Sequence, residues 1–305
     1  MSEEATDGLS VKELKQLITG AGLSHADCIT KEELRERARD AVNAKPPKTH
    51  VENTRETKVI AGYHCTLHGH PDVIAQRQAA DFAVVVLHGL GASGSDFADL
   101  PNFFKQDQRL QSKRIIYVFP QAPPQMMGMP AWWQIDVMKF LTIHNMAPDD
   151  LAKLIREEPP GLSATRESLT QLLQEARQLA SGGGPLLSSK KVLLGGFSQG
   201  AMTALDLALH QSAEETLAGV AFLSGAPIVV EQWAKRFEHH KKLPIFMSHG
   251  VADPTLPFVA SGWVRELLQN HRMDFEFHEH SGGHNLGDDK VVRALTSFVS
   301  RVATT

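Results

Sequence analysis

The stretch of residues 192–202 constrains this chain most, because it joins an apolar strand to a helix through the pattern Gly-x-Ser-x-Gly. A strand that turns sharply into a helix holds the central residue in a strained conformation and leaves its side chain exposed. Glycines on both sides remove side chains that would collide in the turn. We therefore predict that Ser198 lies at a strand-to-helix turn, beside a helix N-terminus that favours negative charge. The alternative is a chance match in a glycine-rich loop.

Strand-like and helix-like segments alternate along the main body of the chain. Segments typical of strands covered on both faces are residues 82–87, 115–119, 192–194, 220–223 and 245–247. We also predict an opening strand at residues 59–67 and an edge strand at residues 274–279. Four helices are predicted at residues 164–179, 201–210, 262–270 and 290–302. The alternation predicts an α/β fold with a mostly parallel sheet and helices on both faces. Residues 126–160 lack an obvious strand, which indicates an insertion over the functional end of the sheet.

A carboxylate is required near Ser198 if this serine acts as a nucleophile. A histidine must take the hydroxyl proton, and an acid must orient that histidine and stabilise its charged form. Asp253 lies in a loop after a strand-like segment, in the chain order serine, acid, histidine that such sites use. We predict Asp253 as the acid, with a turn or helix-capping role as the alternative. The competing acids are misplaced: Asp274 starts a strand, and Asp288 and Asp289 follow the histidine loop.

The candidate base comes from a histidine-rich segment at residues 277–285. His278 and His280 lie within a strand pattern and share one face, whereas His284 follows a Gly-Gly pair in a loop before the last helix. A histidine in that loop can reach the serine, so we predict His284 as the base. The cluster and its glutamate could instead bind zinc, but the spacing differs from H-E-x-x-H and no cysteine cluster accompanies it. No metal is therefore expected.

A glycine-rich loop follows the strand predicted at residues 82–87. In a sheet with this kind of serine turn, N–H groups from that loop and from the residue after the serine stabilise a developing oxyanion. This nominates the backbone N–H groups of Leu90 and Gln199. The loop could instead bind phosphate, but it lacks a third glycine at G-x-G-x-x-G spacing and no Gly-Lys-Ser/Thr follows. Nucleotide binding therefore has little support.

Charge and cysteine content limit the classes of partner and compartment. The formal net charge of -4 at pH 7 gives no reason to expect nucleic acid or an anionic membrane as the main partner. The two cysteines, Cys28 and Cys65, form no disulfide framework and suit a reducing compartment. The acidic N-terminus lacks the apolar core of a signal peptide, and no apolar run approaches the roughly 20 residues that span a bilayer. We therefore expect a cytoplasmic protein without a transmembrane segment.

The N-terminal part of the chain has helix signals of its own. Ser10 and Glu13 match a capping box before one amphipathic helix, and Thr30 and Glu33 match a second. A Pro- and Lys-containing stretch then separates this part from the main body. We divide the chain into a small helix-loop-helix unit at residues 1–45, a linker at residues 46–57 and a catalytic domain at residues 58–303.

The N-terminal unit resembles a SAP-like helix-loop-helix, on the evidence of residues 27–34. SAP modules often bind nucleic acid, but acidic residues outnumber basic ones in residues 1–45. A DNA-binding surface is usually basic. We therefore expect residues 1–45 to dock on a protein partner or to stabilise the chain.

A set of motifs in the main body resembles the phospholipase/carboxylesterase family, which includes the acyl-protein thioesterases and small bacterial carboxylesterases. The motifs follow family order at residues 87–91, 119–123, 131–133, 195–200, 249–254 and 282–284. The resemblance covers about residues 58–303. It implies an α/β-hydrolase fold that cleaves carboxylic esters or thioesters of small or acylated substrates without a cofactor.

The resemblance also assigns residue roles. Its triad and oxyanion donors fall on the residues already predicted, Ser198, Asp253, His284, Leu90 and Gln199. It implies that Trp132 and Trp133 lie beside the acyl or alcohol pocket, with ordinary core packing as the alternative. Residues 137–160 are longer than in the acyl-protein thioesterases and more similar to the bacterial esterases. A catalytically silent binding protein, or a peptidase or lipase on the same fold, are the alternative functions.

Overall fold

The computed structural model describes residues 6, 9–20, 25, 30–43, 53–126 and 128–304. The chain divides into two compact units, Met1–Glu52 and Asn53–Thr305. Cys28, part of the SAP-like stretch and most of the predicted linker lie outside the described residues. Within these ranges, no helix has both the length and the apolar character that a bilayer crossing requires.

The N-terminal unit contains two helices, α1 (Val11–Gly20) and α2 (Lys31–Asn43). Both predicted capping boxes are confirmed. Ser10 N donates to Glu13 Oε2 at 2.8 Å and Glu13 N donates to Ser10 Oγ at 3.3 Å, with equivalent bonds between Thr30 and Glu33. Apolar side chains of the two helices bury one another in a small core, made of Leu14, Ile18, Leu34 and Ala38.

The main unit opens with an antiparallel hairpin, β1 (Thr54–Ile60) and β2 (Tyr63–Gly69). Ala61 and Gly62 form its two-residue turn with positive φ angles of 48° and 82°, as in the tight turns that match the twist of paired strands. The single strand predicted at residues 59–67 is therefore wrong. The linker prediction is also wrong at its C-terminal end, because β1 begins at Thr54 with polar, exposed residues that show no apolar alternation.

The remaining elements alternate as predicted. The strands are β3 (Phe82–Leu87), β4 (Ile115–Pro120), β5 (Pro124–Met126), β6 (Met129–Pro130), β7 (Val192–Phe197), β8 (Gly219–Leu223), β9 (Ile245–Gly250) and β10 (Phe275–His280). The helices are α3 (Pro71–Ile74), α4 (Leu100–Phe104), α5 (Gln108–Gln111), α6 (Val137–Leu141), α7 (Pro148–Arg156), α8 (Leu162–Ala180), α9 (Gln199–His210), α10 (Val230–Phe237), α11 (Val259–Asn270) and α12 (Asp289–Thr304).

Eight strands form one sheet in the order β1-β2-β4-β3-β7-β8-β9-β10. The pairings of β1 with β2 and β2 with β4 are antiparallel, and the others are parallel. Alternate residues of β3 enter different apolar layers: Val85 lies in the layer shared with α8 and α9, and Val84 in the layer shared with α4 and α12. This confirms the predicted mostly parallel sheet with helices on both faces.

The insertion at residues 126–160 is largely helical, with α6, a 3₁₀ turn at Ile143–Asn145 and α7, but it also contains the short strand β6, which was not predicted. The end of the insertion lies against the start of α10. Arg156 Nε is 3.5 Å from Glu231 Oε1, and Gln232 Nε2 donates to Glu158 Oε2 at 3.0 Å. Helix α10 follows the carboxyl end of β8, so the insertion extends over that end of the sheet. The carboxyl ends of parallel strands are where open α/β sheets place their ligands.

Candidate active site

Ser198 occupies the turn between β7 and α9, as the sequence predicts. Its backbone has φ 55° and ψ −121°, a strained conformation for a residue with a side chain, and its N–H donates to Leu223 O on β8 at 2.8 Å. The side chain is half-buried. A Cβ at Gly196 would lie 2.1 Å from Gly200 O, so the turn closes only with glycine there.

Gly200→Ala is expected to lower the free energy of unfolding by at least about 3 kcal/mol, as for severe overpacking. The new Cβ would lie 2.1 Å from Leu87 O and 2.6 Å from His88 O, and both are backbone atoms that cannot rotate away. Urea unfolding followed by circular dichroism measures the change. Gly262→Ala in α11 is the matched control, because its Cβ meets nothing within 4 Å, and it should stabilise by up to about 1 kcal/mol. Equal stabilities of the two variants would contradict this interpretation.

Asp253 and His284 form a tight pair at the carboxyl end of the sheet. His284 Nδ1 lies 2.7 Å from Asp253 Oδ2, and the N–H groups of Thr255 and Leu256 both donate to Oδ1 at 2.8 Å. Burial alone would raise the pKa of Asp253, but the hydrogen bonds from His284 and from these backbone groups outweigh burial and hold this pKa below its usual value. Asp253 is thus an ionised acceptor, which places hydrogen on Nδ1 of His284 and leaves Nε2 able to accept a proton.

The residue before the predicted nucleophile contacts this pair. The ring of Phe197, next to Ser198, is 4.7 Å from the His284 ring between centroids. Among the described residues, the Ser198 hydroxyl makes no hydrogen bond to His284. Catalytic hydrogen bonds commonly tighten only in the complex with substrate. The structure therefore pairs the acid with the histidine directly and brings the serine turn against the same imidazole.

The competing acids and histidines have other surroundings. Asp288 accepts from Lys290 N and Val291 N at the start of α12, which is a capping role. His278 stacks on Phe246 with ring centroids 4.9 Å apart, and His280 is buried within β10. In the part of the chain that the structure describes, no group of metal-ligating side chains converges.

The loop after β3 passes directly beside the nucleophile. A Cβ at Gly89 would lie 3.3 Å from Ser198 Cβ, and Gly91 adopts a positive φ of 71° while its N–H donates to Pro130 O at 2.8 Å. Within the described residues, the N–H groups of Leu90 and Gln199 have no protein acceptor. They are free to donate to a substrate oxygen, as the sequence analysis predicts for an oxyanion site.

His88 holds this loop in place, and the sequence analysis did not single it out. Its Nδ1 lies 2.7 Å from Gly89 O, and Ala122 N donates to its Nε2 at 2.9 Å. Burial lowers the pKa of His88 more than the contact with Gly89 O raises it. His88 is therefore neutral with hydrogen on Nδ1, and a single imidazole ties the start of the loop to the segment after β4.

Trp132 and Trp133 are buried, with exposures of 0% and 1%. Trp133 also lines a cavity together with Ile135 and Phe140, so a position beside the substrate pocket stays a prediction. Both N–H groups are bound within the protein, Trp132 Nε1 to His88 O at 2.7 Å and Trp133 Nε1 to Thr203 Oγ1 at 3.0 Å. The Gln199 side chain accepts from Trp132 N at 3.1 Å and donates to Trp133 O at 2.8 Å. The tryptophans thus fix the loop and turn that carry the two candidate oxyanion donors.

Buried histidines predict how stability depends on pH. Burial has the largest effect on the pKa of each of five histidines and lowers it in every case: His68, His88, His210, His240 and His249. Because the unfolded chain binds protons at these sites first, the free energy of unfolding should fall as the pH drops below about 6.5. Urea unfolding at about pH 7.5, 6.5 and 5.5 tests this. His68→Phe removes one such group and should reduce the slope, whereas constant stability across the range would contradict the prediction.

Comparisons with known proteins agree with the fold and the motifs. The model of the phospholipase/carboxylesterase family matches residues 68–303. Acyl-protein thioesterase 1 of Kluyveromyces lactis is 27% identical over 239 residues, which are 75% of this chain and 95% of the relative. Acyl-protein thioesterase 1 of Debaryomyces hansenii is 29% identical over 240 residues, with coverages of 75% and 95%.

Solved structures show the same fold at lower identity. A carboxylesterase from Mesorhizobium loti aligns with a TM-score of 0.55 and 16% identity, covering 82% of this chain and 99% of that one. Acyl-protein thioesterase 2 from Zea mays aligns with a TM-score of 0.53 and 19% identity, covering 74% and 94%. At such identities the likeness establishes the α/β-hydrolase fold alone. The family match over residues 68–303 agrees with this fold, with the serine turn and with the ordered motifs. The chain therefore belongs to the phospholipase/carboxylesterase family.

Proposed function

We propose that this protein is a serine hydrolase that cleaves carboxylic ester or thioester bonds through an acyl-enzyme, with Ser198, Asp253 and His284 as the triad. The observation that carries the proposal is the 2.7 Å contact between His284 Nδ1 and the carboxylate of Asp253, beside a strained serine turn. Such an arrangement makes a neutral imidazole available to take a proton from a serine hydroxyl. The names of the relatives, acyl-protein thioesterase and carboxylesterase, support ester and thioester substrates.

Acylation is the first half of the proposed reaction. Nε2 of His284 takes the Ser198 proton while Oγ bonds to the substrate carbonyl carbon, and the carbonyl oxygen becomes an oxyanion. The N–H groups of Leu90 and Gln199 stabilise this charge. Because Trp132 and Trp133 fix both donors before substrate arrives, little reorganisation is needed in the transition state. The oxyanion then collapses, the bond to the alcohol or thiol breaks, and His284 protonates that leaving group.

Deacylation repeats these steps with water. His284 removes a proton from water as the hydroxide attacks the acyl carbon, and the same N–H groups hold the second oxyanion. The bond between the acyl carbon and Ser198 Oγ then breaks, and His284 returns the proton to the serine. Asp253 stays ionised and stabilises the imidazolium in both halves.

Covalent labelling and an ester series test the proposal. A fluorophosphonate should modify one site per molecule, in the peptide that carries Ser198, and peptides with the buried Ser224 and Ser248 should stay unmodified. Hydrolysis of p-nitrophenyl esters from acetate to palmitate, and of matched acyl thioesters, then defines the acyl length and leaving group. An unlabelled Ser198 with no turnover of any substrate would overturn the proposal and favour a catalytically silent binding protein.

A further inference from the structure

A second histidine contacts the proposed catalytic acid. His249 lies in β9, four residues before Asp253, and is buried. Its Nε2 is 2.8 Å from Leu256 O and 3.4 Å from Asp253 Oδ2. The Phe258 ring packs on the imidazole edge to face, with centroids 6.0 Å apart and an interplanar angle of 74°. The ring is thus fixed between the acid and the loop that follows it.

The contacts define the protonation state of His249. A carbonyl oxygen only accepts, so Nε2 of His249 carries a hydrogen that is donated to Leu256 O at 2.8 Å. Burial lowers the pKa of His249 and outweighs the opposing effects of Leu256 O and Asp253, and His284 and His280 lower it further. Asp253, His284 and His280 are the titratable groups that act on this ring. His249 is therefore a neutral N–H donor near neutral pH.

The carboxylate of Asp253 accepts three hydrogen bonds and also contacts the His249 ring. Oδ1 accepts from Thr255 N and Leu256 N, while Oδ2 faces Nδ1 of His284 at 2.7 Å and Nε2 of His249 at 3.4 Å. Leu256 bonds to the acid through its N–H and to His249 through its carbonyl. The acid, the turn after it and the second histidine therefore form one closed unit. Carboxylates held by several donors keep one orientation.

We propose that His249 is a positioning residue for the hydrolytic reaction: its Nε2–H holds Leu256 O, and with it the turn whose N–H groups orient Asp253, so that Oδ2 stays directed at His284. This inference rests on the proposed function of the triad. Without this N–H, Leu256 O loses its donor and the turn that orients the carboxylate is held less firmly, so the Asp253–His284 pair is less well aligned for proton transfer. The loss should therefore appear in kcat, whereas KM should change little.

The test compares His249→Phe, which fills the space without a donor, with His249→Gln, whose amide nitrogen reaches the position of Nε2. For His249→Phe we expect kcat on p-nitrophenyl butyrate to fall on the order of tenfold while KM stays within about twofold of wild type. His249→Gln should restore kcat. Each rate is divided by the concentration of active sites, which is measured by fluorophosphonate titration, so a loss of folded protein does not affect the comparison. His68→Phe is the matched control, because His68 is also buried and contacts a carbonyl, Ala98 O at 3.3 Å.

The outcomes separate this inference from the proposed function. An active wild type with an unchanged kcat in His249→Phe overturns the positioning role and leaves the triad intact. An inactive, unlabelled wild type overturns the proposed function itself. If His249→Phe does not fold, His249→Asn replaces it, since its shorter amide does not reach Nε2. A lower kcat in His249→Asn than in His249→Gln supports the inference, and equal values of kcat overturn it.

Discussion

Replacing Ser198 with alanine is expected to reduce kcat for ester hydrolysis by about 10⁶-fold, as loss of a triad nucleophile typically does. Without Oγ no acyl-enzyme forms, and only the oxyanion donors can assist direct attack by water. The fold should persist, because alanine adds no atoms at the φ angle of 55° that Ser198 already adopts. Steady-state hydrolysis of p-nitrophenyl esters measures the change, and fluorophosphonate labelling should disappear with it.

Ser189→Ala is the matched control for this substitution. Ser189 is buried and lies in the 3₁₀ turn before β7, at the opposite end of the strand that leads to Ser198. We expect its kcat to stay within about threefold of wild type, as for a substitution away from the reacting atoms. If Ser198→Ala kept a tenth or more of the wild-type kcat, the nucleophile would have to be another group.

Asp253→Asn should reduce kcat by about 10⁴-fold through the wrong imidazole tautomer. Thr255 N and Leu256 N both point at one oxygen of residue 253. The amide oxygen of asparagine must take that place, and its NH₂ then faces His284 Nδ1. Because both groups would donate, His284 places its hydrogen on Nε2 instead and can no longer accept the proton of Ser198. Initial rates and the rate of fluorophosphonate labelling should fall together.

Asp81→Asn serves as the matched control. Asp81 is an aspartate whose pKa lies below its usual value: burial opposes this shift, and hydrogen bonds from the Arg114 side chain and backbone cause it. It lies before β3, at the amino end of the sheet. We expect Asp81→Asn to affect stability and to leave kcat within about threefold of wild type. Comparable activity of Asp253→Asn and Asp81→Asn would contradict the proposed role of Asp253.

Sequence patterns located the parts of the fold in which local signals agree with tertiary packing. The apolar run at residues 82–87 predicts β3 with its bounds, because both faces of that strand are buried. The hairpin of β1 and β2 was not predicted, because the local sequence there carries no signal that agrees with its tertiary packing. Ala61 occupies a left-handed position where asparagine or glycine is usual, and the outer strand is almost entirely exposed and polar.

The site shows the same limit. Gly-x-Ser-x-Gly and the loop acid and histidine carry local signals, whereas the acceptor of the Trp133 indole N–H is Thr203, which is 70 residues away. The roles of His88 and His249 also depend on loops from other parts of the chain. A shared signal could have found them, since each histidine precedes a glycine where an apolar strand ends. A histidine followed by glycine at the end of an apolar strand thus predicts an imidazole that can form hydrogen bonds with the loop that follows.

Strand β1 has a further consequence, because it forms one edge of the sheet. Edge strands leave backbone N–H and C=O groups unpaired, which invites another chain to add there. Arg55, Glu56 and Lys58 place exposed or half-buried charges of both signs along this edge. An incoming strand would have to match these charges in register or bury them unpaired, so growth of the sheet between molecules is disfavoured. The polar sequence that hides β1 from prediction thus protects the folded protein against aggregation.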